Sequence, residues 1–385
     1  MKKSLQITGI SLQKEKEQGK ELFKVLENPL FKYGQGMQIV LKELDFNKVL
    51  AKENEEERMS ITAPKEVRLL HASELSLEEQ NFYWEGLISP KENKILALHQ
   101  AILSDARIII IPENINCKEP IIIKSHLSKK AKAETIMIIA EKNASATMYE
   151  ESSSDKEAYY KSQIIQVYAK ENAKVEFCSL QDLSPQTYSF TTKRGRAEGN
   201  AKIIWKDIVL GGKFSQLNVQ TTLICPKAQT EAYSGYFGKE TQIFDLYSEA
   251  KHKSAQTECT LYNRGILCDS ARTVTRGKII IEKNNPKCKA KQKSDNLLIG
   301  KTARCDAVPI LEVENDDVSC SHGATISHVD EEKLFYLTSR GIDLETAKAM
   351  IIAGFLEPVI NTFPTEEFQE KIREKLWNRI QHEKL

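Results

Sequence analysis

No two of the eight cysteines stand in a C-x-x-C pair. Cys117, Cys178, Cys225, Cys259, Cys268, Cys288, Cys305 and Cys320 are spread thinly along 385 residues. That spacing excludes a zinc knuckle, a ferredoxin-type site and the disulfide framework of a small secreted domain. Most of these residues are expected to be free thiols packed as small hydrophobes. Enzyme signatures are missing as well. There is no G-x-x-x-x-G-K-S/T, no G-x-G-x-x-G at a strand–helix junction, no G-x-S-x-G and no H-E-x-x-H. A resident ATPase site is therefore not expected, and neither is an enzyme.

Long apolar runs are also absent. The four isoleucines at 108–111 end at Pro112, far short of a membrane span. Two lysines open the chain without an apolar segment behind them, so no secretory signal is expected and the cytoplasm is the expected location. Charge of either sign is not in excess: 55 basic residues face 54 acidic ones, a net charge of +1. That balance gives no ground for nucleic acid or a membrane surface as the main partner. The basic run at 287–293 reads as a solvated face.

What is present changes along the chain. The length suggests two or three units, and 41% hydrophobic residues suffice for a substantial core. Residues 1–105 read as a mainly helical N-terminal region. Segments 14–26 and 41–59 are rich in Lys, Glu and Leu, and 51–58 is too charged to pack. Ser76 and Glu79 have capping-box spacing ahead of Phe82, Tyr83 and Trp84. Ser89-Pro90 breaks the segment, and Ile95, Leu98 and Ile102 then recur at helical spacing over 93–104.

From 106 to 329 the helical period gives way to short apolar or alternating runs at 108–111, 121–124, 135–139, 164–168, 175–177, 203–210, 218–224, 279–282 and 297–299. Helical crossovers are missing between them, which argues against a doubly wound sheet. Asn143-Ala144, Asn172-Ala173 and Asn200-Ala201 each precede a strand-like run and recur about 28 residues apart, with a fainter copy at Lys227-Ala228. A coil that turns at Asn and stacks on the next coil produces such an echo. The expectation is a mainly β fold with a parallel β-helix core.

Residues 330–385 read as a C-terminal helical region. Asp330 can cap a first helix that Gly341 ends. Asp343 can cap a second, with Ala347, Ile351 and Phe355 on one face and Pro358 near its end. Thr365 can cap a third, with Phe368, Ile372, Leu376 and Ile380 in a stripe. These helices are expected to cover the open edge of the solenoid.

One stretch concentrates the chemistry. Among seven histidines only His322 lies beside a cysteine in a Gly-containing segment, read as a turn where strand gives way to helix. An imidazole and a thiolate can bind iron, and a thiolate can carry sulfur as a persulfide. His322 with Cys320 or Cys305 is thus a candidate transient site. A hydrogen-bonded corner histidine beside two buried thiols accounts for the same residues, and residue chemistry alone leaves both readings open.

Cys320-Ser321-His322-Gly323-Ala324-Thr325, followed by Leu334-Phe335-Tyr336-Leu337-Thr338-Ser339-Arg340-Gly341-Ile342, resembles the SufB/SufD family of iron–sulfur assembly proteins, in particular its SufD branch. The resemblance reaches back to about residue 96. It implies a right-handed parallel β-helix between helical ends, and His322 as a residue of cluster assembly. It further implies pairing with a SufB-like subunit, docking of a SufC-like ABC-type ATPase, and a transient iron–sulfur cluster at the interface with SufB rather than a permanently bound cofactor. The docking region would be Arg340, Gly341, Ile342 and the helix carrying Phe355. A homodimer is the assembly expected of the chain in isolation. SufB-type chains have Glu after the histidine, where this one has Gly323. The SufB cluster cysteine opens a C-D-S-x-L-I-G segment, where this chain has Ser294-Asp295-Asn296-Leu297-Leu298-Ile299-Gly300. A SufB-like scaffold holding the cluster itself is the first rival reading. A solenoid enzyme acting on polysaccharide is the second, and it needs paired carboxylates on one face.

Overall fold

The computed structural model describes residues 11–28, 31–32, 38–39, 43–51, 59–75, 87–128 and 131–381. The expected capping box at 76–79, the aromatic run at 82–84 and the charged segment 52–58 lie outside the described residues. The described residues are about 49% strand and form a β-solenoid of about 8 turns with helices at both ends.

Two nine-stranded sheets face each other. From residue 103 the strands alternate between them, each about ten residues long. One sheet holds β5 (Leu103–Ile111), β7 (Ala131–Ala140), β9 (Tyr160–Ala169), β11 (Tyr188–Ala197), β13 (Phe214–Leu223), β15 (Ile243–His252), β17 (Arg272–Ile281) and β19 (Arg304–Val313). The other holds β6 (Ile121–Leu127), β8 (Ser145–Ser154), β10 (Lys174–Leu183), β12 (Lys202–Gly211), β14 (Gln229–Gly238), β16 (Glu258–Leu267), β18 (Cys288–Leu298) and β20 (Val318–His328). All these neighbours pair in parallel, so each residue stacks on its counterpart one turn away. Buried Val175, Phe177, Ile203, Trp205, Ala232 and Leu261 line the bore between the sheets.

The repeat supplies the corners. Asn114, Asn143, Asn172 and Asn200 all adopt positive φ, between 56° and 63°. Asn tolerates this left-handed conformation better than most residues. Their amides form a ladder along the solenoid: Asn143 Nδ2 donates to Asn114 Oδ1 at 2.7 Å, Asn172 to Asn143 at 2.9 Å, and Asn200 to Asn172 at 3.0 Å. Lys227, Gln256 and Lys287 take the same corner on later turns, also at positive φ.

The described part of the N-terminal region mixes helices with short strands. Besides α1 (Leu12–Val25), α2 (Phe46–Leu50) and α3 (Lys94–Ala101) it contains a two-stranded pair, β1 (Phe31–Lys32) with β2 (Gln38–Ile39). It also contains β3 (Ser60–Thr62) and β4 (Arg68–His71). These two pair antiparallel with β6 and β5 and border the first turn as short outer strands. The sheet therefore begins before residue 106.

The C-terminal helices are α4 (Glu331–Ser339), α5 (Leu344–Ile360) and α6 (Glu366–Gln381). Asp330 caps α4, accepting from the backbone N–H groups of Glu332 and Lys333 at 3.0 and 3.2 Å. Asp343 caps α5 by accepting from Thr346 N at 3.0 Å. Gly341, at φ 87°, ends α4 in the left-handed conformation that a side chain would strain. The helices do not cover the open edge. α5 and α6 lie on the outer face of the sheet that ends in β20, over Cys178, Leu180, Ile208, Phe237, Ile266 and Leu297. That outer face is apolar and needs burial, whereas an open edge needs backbone partners that a helix cannot offer. Arg379 and Lys375 fasten α6 to Asp182 at 2.6 and 3.2 Å, and Lys371 pairs with Glu151.

Candidate functional site

Short antiparallel β3 and β4 border the first turn of the solenoid, whereas its last turn is bordered by the full-length strands β19 and β20. Among the described residues β19 pairs only with β17, and β20 only with β18, so two parallel edges end the two sheets. Each presents unpaired backbone groups, a template for adding a strand. Ile326 and Val313 stand out on this end at 47% and 39% exposure.

Register decides where the cysteine–histidine segment points. Cys288, Ala290 and Leu298 of β18 belong to the bore. Cys320 stacks on Ala290, and His322 stacks on Gln292. Both side chains therefore lie on the inner face of the last turn, two residues apart, at the mouth of the bore. The segment is not the turn that Gly323 suggests. It is the middle of an extended edge strand, and a Cβ on Gly323 would meet nothing within 4 Å. His322 is exposed and Cys320 is half-buried.

Cys305 is placed apart from them. It is the second residue of β19, on the opposite sheet and buried at 8% exposure. Consecutive strands run back and forth across the bore, so Cys305 faces the far end of β20 while Cys320 stands near its start. Its neighbour is the Tyr236 hydroxyl, and burial, then Asp306, push the thiol up to about 12. Burial, then Cys288, also raise the Cys320 thiol. Both are protonated near neutral pH in the chain alone, which makes them poor ligands until their surroundings change. Among the described residues no three His, Cys, Asp or Glu side chains are grouped to hold a metal ion.

Ser294 lies one turn inside the mouth, in register with Ala324. Its hydroxyl accepts from Asn296 Nδ2 at 3.1 Å and lies 3.3 Å from Thr275 Oγ1. Asp316 and Asp317 sit in the corner between β19 and β20, not on a strand.

The second candidate surface is the turn between α4 and α5. α4 buries none of its residues. Phe335, Tyr336, Leu344 and Met350 are 74%, 57%, 47% and 44% exposed. Arg340 is exposed with its guanidinium 5.3 Å from the Tyr336 ring centre. Gly341 is exposed and Ile342 half-buried. Phe355 does not join this patch: its ring is packed against the solenoid, with the Arg264 guanidinium 4.2 Å from its centre. Spacing along the sequence pointed to Phe355 and overlooked Phe335, Tyr336, Leu344 and Met350. The amphipathic stripe marked what packs, and the exposed apolar residues are what remained.

A family profile described as "SUF system FeS cluster assembly, SufBD core domain" matches residues 122–355. The chain belongs to the SufBD family. The match spans the solenoid from β6 through most of α5, and so includes the open end. An iron–sulfur cluster assembly SufBD family protein of Staphylococcus saprophyticus is 28% identical over 288 residues, 74% of this chain and 62% of the relative. One from Staphylococcus epidermidis is 27% identical over 288 residues with the same coverage. One from Staphylococcus aureus is 28% identical over 294 residues, again 74% and 62%. The match thus takes in 62% of the length of these SufBD relatives.

Proposed function

We propose that the chain is a SufD-like subunit of a cytoplasmic iron–sulfur assembly scaffold and does not itself hydrolyse ATP. Its open end would join a SufB-like subunit, with the β19 and β20 edges extended by strands of the partner. A nascent cluster, the cargo of the reaction, would form at that junction. The observation that carries this reading is the placement of His322 and Cys320 on the inner face of the unpaired last turn. A partner that completes the edge also encloses the imidazole and the thiol, which changes their solvation and supplies the missing ligands.

Two further features favour SufD over SufB. Gly323 stands where SufB-type chains carry Glu, and Ser294, engaged with Asn296, stands where they carry the cluster cysteine. The polysaccharide enzyme is disfavoured by Asp316 and Asp317, which lie in a corner rather than as a carboxylate pair on one face. The exposed apolar patch on α4 and α5 is the proposed dock for a SufC-like ATPase. Such a patch on an otherwise charged helix pair is a surface that a partner covers. The test is the iron and sulfide content of assembled complexes that carry His322→Ala.

A further inference from the structure

The residue directly beneath His322 has an unusual environment. Gln292 is buried, at 8% exposure, and its side chain crosses the bore to the opposite sheet. There its Nε2 donates to the backbone carbonyl of Gly277 at 3.0 Å. This bond fixes which end of the amide is which, because a carbonyl can only accept. Gly277 makes the crossing possible: a Cβ there would stand 2.2 Å from Gln292 Nε2 and 2.5 Å from Cδ. The other end, Oε1, is buried without a hydrogen-bond partner. A buried carbonyl oxygen left unpaired is unfavourable. The group stacked on Gln292 in the next turn is His322.

We infer that Gln292 is a positioning residue for His322: the imidazole stacked above it, which leaves Oε1 unpaired in this structure, turns to donate a ring N–H to that fixed acceptor. That bond selects one tautomer and directs the lone pair of the other ring nitrogen out of the bore. The span is one this solenoid already bridges. Asn172 donates to Asn143 one turn away at 2.9 Å, and Gln216 Nε2 donates to Asp245 Oδ2, also one turn away, at 2.8 Å. A histidine bound to an acceptor on one nitrogen is the usual way to prepare the other as a ligand or base. The consequence for cluster assembly rests on the function proposed above, but the bond itself does not.

The test is therefore made on the full-length chain without partners. Histidine labelled with 15N is followed by long-range proton–nitrogen correlation across pH, with the His322 signals assigned by their loss in His322→Ala. The wild-type ring is expected in a single neutral tautomer. Gln292→Leu is expected to release it to exchange between both tautomers, and Gln292→Glu, which keeps an acceptor oxygen at the same place, to hold the single tautomer. Gly277→Ala, which displaces the amide without altering it, is expected to act like Gln292→Leu. Circular dichroism selects the folded variants. A wild-type ring already exchanging between tautomers would overturn the inference whatever the variants do. So would an unchanged His322 signal in folded Gln292→Leu. Neither outcome bears on iron or sulfide content, so failure here is distinguishable from failure of the functional reading.

Discussion

Asn172 both donates to Asn143 and accepts from Asn200, at 2.9 and 3.0 Å, while its own φ is 60°. One residue type thus meets two demands of a solenoid corner, a left-handed backbone and a side chain that reaches both neighbouring turns. The two can be separated by substitution. Asn172→Gly keeps the backbone and loses the ladder, a cost of about 1 kcal/mol. Asn172→Val loses both and adds left-handed strain, a cost of about 2–3 kcal/mol in total. Denaturant unfolding measures the order. Equal losses in the two variants would show that the corner backbone is not what Asn provides.

Acid sensitivity is expected to trace to His99. It is 2% exposed between α3 and the β5–β7–β9 sheet, with its ring nitrogens 2.8 Å from Ser162 Oγ and 2.9 Å from Thr135 Oγ1. Burial holds its pKa down at about 3, against 6.5 for an exposed imidazole. Between those values the unfolded chain binds a proton that the folded chain refuses. Stability from this group is therefore complete above pH 6.5 and is lost as pH falls towards 3, at about 1.4 kcal/mol per pH unit. From pH 7 to pH 5 the wild type should lose about 2 kcal/mol more than His99→Gln. Unfolding titrations at the two pH values check this, and equal losses in both proteins would contradict it.

Sequence alone located the solenoid but not all of its strands. β11, β15 and β16 have no apolar run, because their inward positions include Lys193, Ser248 and Asn263. Lys193 is buried in the bore, paired with Asp207 of β12. Because that ion pair crosses the bore from one strand to the next, a charged side chain can stand at an inward position, and the alternation of apolar and polar residues fails locally while the fold holds. The Asn corners carried the signal instead. The candidate site was legible in its residues but not in its shape. Ser321 and Gly323 made β20 look like a turn, and only its register with β18 turns Cys320 and His322 into the bore and sets Cys305 apart. The role of Gln292 was hidden for the same reason, since its neighbours in space are Gly277 and His322.

Docking and stability should separate on the C-terminal helices. Phe335→Asp and Tyr336→Asp change exposed positions and should leave unfolding free energy within about 0.5 kcal/mol of wild type. Both should weaken co-purification with a SufC-like ATPase. Phe355→Ala should cost about 2 kcal/mol, from lost packing and the lost Arg264 contact, through stability alone. If the two aspartate variants co-purify normally, the ATPase docks elsewhere.

The central claim concerns His322 on the open last turn. An exposed side chain on an edge strand contributes little to the fold, so His322→Ala should melt within about 2 °C of wild type and assemble with a SufB-like subunit and a SufC-like ATPase as before. The most direct measurement is iron and acid-labile sulfide per assembled complex, isolated without oxygen from matched cultures, for wild type, His322→Ala and Cys320→Ser. The account predicts that His322→Ala complexes carry several-fold less of both, and that Cys320→Ser complexes follow them only if the thiol is also a ligand. A fully assembled, stable His322→Ala complex with wild-type iron and sulfide would contradict it.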